Sequence, residues 1–337
     1  MILYSLVAVL AVGLSLPVDN HYENKGFLYT RQQILNRLCL VSVFLLLFLV
    51  SALRLNVGND YAKYVEFMHL IRCDAVVPTE FGFNWVVKIL YGISGFENYL
   101  LVFAVFAFAT IYLFLKAIYQ QADSFPFSFF LFMALGYYFQ TFNTVRYYLA
   151  LAIALFAIPY VLRKEWGKFI LLILLGATMH KSLLVVIPLY FLASRCWKKW
   201  QLVLAALFCS TFFFLQDFYL KLVVFLYPTY GDTEYLEGGT SMINILRCAA
   251  VLVLALLCYK KCVKENIRNR FYFYCNLGAL VMYVCCSFLP IISRIGYYLT
   301  ITHIFFLPAL VNGIENEKLK KLCRVGVILA GILRYLF

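Results

Sequence analysis

Long apolar runs alternate with short charged knots along the whole chain. The runs are continuous rather than alternating residue by residue, which excludes an outer-membrane barrel. Many approach the roughly 20 apolar residues that carry a helix across a hydrocarbon core, where a helix satisfies its own backbone polar groups. The runs cover residues 1–16, 34–53, 99–117, 127–142, 147–162, 168–194, 201–215, 242–259, 271–290, 295–311 and 325–337. The pattern predicts an all-α fold: a polytopic transmembrane helical bundle of about 12 membrane segments, some of them short or re-entrant. Residues 1–337 read as a single integral membrane domain. The first run has no basic leader, so it reads as a span rather than a removed signal.

The knots set the sidedness. Arg163, Lys164 and Lys168 form one basic cluster, and Arg195, Lys198 and Lys199 another. KKCVKENIRNR and IENEKLKKLCR are two more. Basic residues accumulate on the cytoplasmic side, so these four clusters are placed there. Residues 54–98 are too polar for one span. They carry Asp60, Glu66, Asp74, Glu80 and Glu97 against Arg54, Lys63, Arg72 and Lys88. They read as an extracytoplasmic loop with amphipathic or re-entrant helices; alternatively, residues 82–95 form a short span, which changes the parity. Residues 217–241, acidic and aromatic with Gly and Pro punctuation, read as a second extracytoplasmic loop.

Composition agrees with a membrane location: 64% of residues are hydrophobic and 13% charged, against about a quarter charged in a soluble domain. The net charge of +13 follows from the cytoplasmic clusters and a few placed arginines, and no nucleic-acid module is visible. The eleven cysteines lie mostly in apolar runs or basic knots and form neither a disulfide framework nor a zinc pattern. No metal site and no cofactor is expected.

A minority of cations fall on the outer side, against the usual bias: Arg54, Arg72, Arg146, Arg247, Arg294 and Lys181. Charge near the membrane core costs roughly 2.5–3.5 kcal/mol per residue and therefore pairs or serves a function. Arginine suits phosphate, because its planar fork donates two parallel hydrogen bonds. Arg54, Arg146, Arg247, Arg294 and Lys181 are accordingly candidate diphosphate ligands, the alternative being salt bridges to Asp60, Glu66, Glu80 or Asp232. Asp60, Glu80 and His180 are candidate proton acceptors. Tyr61, Tyr64, Tyr147 and Tyr297 are candidate sugar- or lipid-contacting aromatics, or interface-belt residues. Arg146 opens one apolar run and His180 lies at the middle of the next segment, so both belong at the same outer end.

Several stretches carry a family resemblance in order. LRLNVGNDYAKYVEF resembles the Arg…Gly-x-Asp-Tyr-x-x-Tyr segment of the EpsG-like family, bacterial membrane proteins related to Wzy polymerases. EFGFNWV, FNTVRYYLALAIALFA, ATMHKSLLVVIPLYFL and SRIGYYLTITHIFFLP resemble its later motifs. Tyr147 departs from the glutamine common after the arginine, and Lys181 and Leu183 flank Ser182 where other residues are frequent. The resemblance implies a GT-C-like polysaccharide polymerase of the bacterial inner (cytoplasmic) membrane. Its substrate would be an undecaprenyl-diphosphate-linked oligosaccharide, joined by inverting transfer into capsular, exo- or O-antigen polysaccharide. A flippase and a chain-length regulator are the partners such an enzyme implies, beside membrane lipid. A lipid-linked oligosaccharide flippase and a sugar O-acyltransferase are the rival readings.

Overall fold

Apolar helices dictate every layer of the computed structural model, which describes residues 2–22, 30–226, 242–289 and 292–336. No strand occurs among them. In chain order the helices are α1 (Ile2–Ser15), α2 (Arg31–Ala52), α3 (Tyr61–Arg72), α4 (Phe81–Ser94), α5 (Tyr99–Gln121) and α6 (Phe125–Ala134). Next come α7 (Tyr137–Gln140), α8 (Val145–Leu162), α9 (Trp166–Ala177), a 3₁₀ turn over Lys181–Val185, and α10 (Val186–Ser194). The remainder are α11 (Lys199–Phe214), α12 (Gln216–Leu226), α13 (Met242–Leu257), α14 (Ile267–Cys285), α15 (Ile292–Thr300), α16 (His303–Asn312) and α17 (Glu317–Leu336).

Helix starts follow from local chemistry. Thr30 and Gln33 form a reciprocal capping box ahead of α2. Asn98 accepts the Leu101 N–H ahead of α5, and Asn266 accepts two N–H groups ahead of α14. Pro126 sits in the first turn of α6, where its missing N–H costs nothing.

Among the described residues, three helices are long and apolar enough to cross a membrane singly: α2, α5 and α8. The count rises to five if the bent pairs within α11–α12 and α15–α16 are each one span. The sequence pattern predicts about 12 segments, and several of its runs are interrupted in the backbone, which leaves helices too short to cross singly. The run over residues 127–142 is divided into α6 and α7 by Gly136 at φ 81°. The segment over residues 168–194 breaks at Thr178–His180. The polar stretch 54–98 folds as the two short helices α3 and α4. The stretch 217–241 continues as helix to Leu226; residues 227–241, with Asp232, lie outside the described residues.

The chain divides into two units, residues 1–186 with 307–337, and residues 187–306. In the first, α8 is the central element. It is apolar nearly all round, as a helix enclosed by others must be, and Ala150, Ala152, Ala154 and Ala157 are fully buried. Such small residues let α5 and α9 approach its backbone closely. At Gly176 of α9 an added Cβ would lie 2.9 Å from Ile153 Cδ1 of α8. Tyr138 of α7 donates to the Leu47 carbonyl of α2 over 2.8 Å. α17 packs on α6, with Gly331 against Ala134 and Phe130.

In the second unit, α13 and α14 pack along each other and α15 packs on α14. Buried Asn276 donates to the Cys248 carbonyl over 3.1 Å, and its Oδ1 lies 2.8 Å from His303 Nε2. Tyr190 donates to the Tyr298 carbonyl over 2.9 Å.

A candidate anion and proton-transfer site at the start of α8

Two loops are stitched onto the chain around the N-terminal end of α8, each through a glycine. Gly58 adopts φ 108°, a region L side chains rarely enter, and a Cβ there would collide with the Phe142 carbonyl. Its neighbour Asn59 donates its N–H to Asn143 Oδ1 over 3.1 Å. The second loop docks at Gly82. Its N–H donates to the Thr178 carbonyl over 3.0 Å, and a Cβ would lie 2.6 Å from Thr178 Oγ1. Two close backbone approaches therefore carry Asp60 and Glu80 to the end of α8 that holds Arg146.

The return of α9 brings His180 to the same end. The helix stops at Ala177, where the N–H groups of Met179 and His180 both turn onto the Gly176 carbonyl, at 3.0 and 3.1 Å. His180 is extended, and the 3₁₀ turn begins at Lys181.

Glu80 joins these pieces. Its Oε2 pairs directly with Arg146 Nη1. Its Oε1 accepts the Lys181 main-chain N–H over 3.0 Å and lies 3.4 Å from His180 Nδ1. The side chains are well enclosed, at 10% exposed for Glu80, 13% for Arg146 and 17% for His180. Aromatic rings close the walls. Arg146 lies over Phe83 and Tyr64, at 5.4 and 5.7 Å from their centroids. Tyr147 meets the His180 ring edge-on at 5.7 Å.

Burial pushes the Glu80 carboxyl upward, but His180, the charge of Arg146 and the Lys181 N–H outweigh it and hold Glu80 at about 2. Glu80 is thus an anion at neutral pH and a poor proton acceptor. Because the folded value lies below the ordinary 4.5, ionised Glu80 stabilises the fold above about pH 4.5. That contribution is lost as pH falls toward 2. Thermal unfolding of wild type and Glu80→Gln from pH 7 to pH 3 is expected to show a steeper acid loss in wild type; parallel curves would refute it.

The other residues singled out in the sequence are placed as follows. Arg54 is 7% exposed and turned inward. Its Nη1 donates to the Ser51 carbonyl and hydroxyl, at 2.8 and 3.0 Å, and its guanidinium lies over Phe103 and Phe142. Burial pulls it down to about 10, so it stays charged. Arg54 is therefore enclosed beside Phe142, whose carbonyl meets the Gly58 loop, and its Nε and Nη2 are buried with no hydrogen-bond partner among the described residues. Tyr61, Tyr64 and Tyr147 are buried too. Tyr61 stacks on Phe103 at 5.0 Å and Tyr64 packs against Phe83 at 6.0 Å, so both rings are covered by neighbouring aromatics.

Asp60 is half-buried at the start of α3, and among the described residues its carboxylate has no ion pair or hydrogen bond. Lys181 reaches Glu80 through its backbone, while its side chain is exposed. Arg72 lies 3.8 Å from Glu97 on the exposed edge of α3. Arg247, Arg294 and Tyr297 belong to the second unit, half-buried on α13, exposed on α15 and half-buried on α15 respectively. Sequence reasoning did not single out Gly58, Gly82 or Thr178. The two glycines themselves were the available signal, since a residue without a Cβ permits positive φ and close backbone approach.

An all-helical fold with apolar spans and an enclosed Arg–Glu–His cluster at a helix end defines a membrane protein with a preorganised charged site. The chain belongs to the EpsG family, whose model matches residues 37–337. No curated protein and no solved structure matches the chain.

Proposed function

We propose that the protein is a polysaccharide polymerase of Wzy type. It joins oligosaccharide repeat units carried on undecaprenyl diphosphate at the outer face of the bacterial cytoplasmic membrane. Family membership supports the polymerase role in exopolysaccharide synthesis. The observation that carries the reading is the cluster of Arg146, Glu80 and His180 at one end of α8. It pairs a fixed cation with a nearby imidazole, the two functions that glycosyl transfer from a lipid diphosphate requires. The growing chain is the donor. A hydroxyl of the next unit attacks its anomeric carbon with inversion, and the bond to diphosphate breaks. Charge builds on the departing diphosphate, where a preorganised cation lowers the barrier. Arg146 supplies that cation. Asp60 positions the acceptor sugar.

The shorter apolar helices are the remaining membrane segments in this reading. Added to the spans and bent pairs, together with α14 and α17, they bring the total to about 12. A flippase delivering the substrate and a chain-length regulator are the expected partners.

The test is direct. Purified protein mixed with lipid-linked repeat unit is expected to yield a ladder of longer chains on the same lipid. A product unchanged in length would sink the polymerase reading. Transfer of the unit across a vesicle membrane without elongation would indicate a flippase, and an acylated product an acyltransferase.

A further inference from the structure

We infer that Glu80 is a positioning residue shared by both halves of the site: one oxygen holds Arg146, and the other holds His180 with Nδ1 protonated and Nε2 turned out as the proton acceptor. The inference rests on the polymerase reading for its chemistry but not for its geometry.

The geometry begins with the carboxylate. Ionised, Glu80 can only accept hydrogen bonds. The nitrogen nearest its Oε1, at 3.4 Å, is His180 Nδ1, a buried nitrogen that makes no hydrogen bond among the described residues, so the contact is electrostatic. A proton on Nδ1 is attracted to the carboxylate there, whereas a lone pair is repelled by it. A neutral imidazole protonated at Nδ1 has its free lone pair on Nε2, across the ring. Among the described residues no hydrogen bond engages that nitrogen. Glu80 is not free to leave, since Gly82, two residues on, is tied to Thr178 by a hydrogen bond and a close approach. Tyr147, edge-on to the imidazole, limits its rotation. The charged or titratable groups around His180 are Glu80 from the start of α4, Arg146 and Tyr147 from α8, and the adjacent Lys181.

The same carboxylate tethers Arg146 through Nη1 alone, and Nη2 has no partner among the described residues. That nitrogen is left for a phosphoryl oxygen. In the transfer step the acceptor oxygen bonds to the anomeric carbon and its proton passes to His180 Nε2. The carbon–oxygen bond to diphosphate breaks, and its electron pair leaves on the diphosphate beside Arg146. The imidazolium then releases its proton to water. Asp60 takes no proton in this scheme.

Glu80→Gln separates the two duties. An amide has one accepting oxygen and one donating nitrogen, so it can serve Arg146 or orient His180, not both. The first readout needs no substrate: nitrogen-15 NMR of histidine-labelled protein in lipid nanodiscs at pH 8, with His180 assigned by the His180→Ala variant. Wild type is expected to show the Nδ1–H tautomer and Glu80→Gln to lose it. The second readout is elongation of the lipid-linked unit. Glu80→Gln is expected to lower kcat about 100-fold, the scale of general-base catalysis, with KM within about threefold. Glu80→Asp, which keeps the charge, is expected to keep the tautomer and recover at least about tenfold of that loss. If Glu80→Gln does not fold, Glu80→Asp carries the comparison with wild type. An Nε2–H tautomer in wild type, or unchanged tautomer and kcat in Glu80→Gln, overturns the inference. The expected tautomers without elongation by wild type would overturn the polymerase reading and leave the positioning role standing.

Discussion

Arg146→Ala is expected to lower polymer synthesis by about 10³-fold, the upper end of what loss of one preorganised donor costs. Two effects act together. The departing diphosphate loses its cation, and Glu80 is left as an enclosed carboxylate without its closest partner. Breaking one half of such a pair costs about 3–5 kcal/mol, so thermal unfolding must be measured beside activity. Arg146→Lys keeps a charge but not the planar fork. It is expected to fold close to wild type and still lose about tenfold or more in rate. Lys260→Ala, on an exposed side chain in the basic knot after α13, is the control and should be neutral. Equal tolerance at Arg146 and Lys260 in the ladder assay would refute the cation role.

The second large effect is expected at Gly58. Alanine there must both occupy φ 108° and displace the Phe142 carbonyl. Backbone strain of this kind costs about 1–3 kcal/mol, and overpacking a further 1–3 or so. Gly58→Ala should therefore destabilise the docked loop by about 3 kcal/mol or more and abolish activity without touching a charged group. Gly92→Ala is the matched control, because nothing lies within 4 Å of its added Cβ. Inside α4 that change gains helix propensity, by about 1 kcal/mol. Thermal unfolding in detergent, with the ladder assay alongside, distinguishes them. A Gly58→Ala protein as stable and active as wild type would refute the account of how the first loop is held.

Some of this site could be read along the chain. Arg146 and His180 sit at the two ends of a hairpin whose turn is the cluster of Arg163, Lys164 and Lys168. Hydropathy and charge bias are local in sequence, so their placement at one end needed no tertiary information. The partner did not follow in the same way. Glu80 lies 66 residues before Arg146 and 101 before Lys181, and Asp60 carried equal weight as a candidate. Distance along a chain says nothing about which acid a folded loop delivers. Arg54 shows the opposite outcome. Its charge stood out in the pattern, but its side chain turns inward over Phe103 and Phe142. Tyr61 and Tyr64 read equally well as wall or platform until packing covered their rings.

The sequence by itself determined the all-helical membrane class, the polar stretch between α2 and α5, and the coincidence of Arg146 with His180. Each depends on the transfer energy of local segments, a sum over neighbouring residues. The tertiary structure alone decided that Glu80 and not Asp60 closes the ion pair, and that Arg54 is enclosed. It also decided that two glycines hold the loops in place. Those outcomes depend on close backbone approach and on which charge is desolvated beside which, and such terms exist only once distant segments touch.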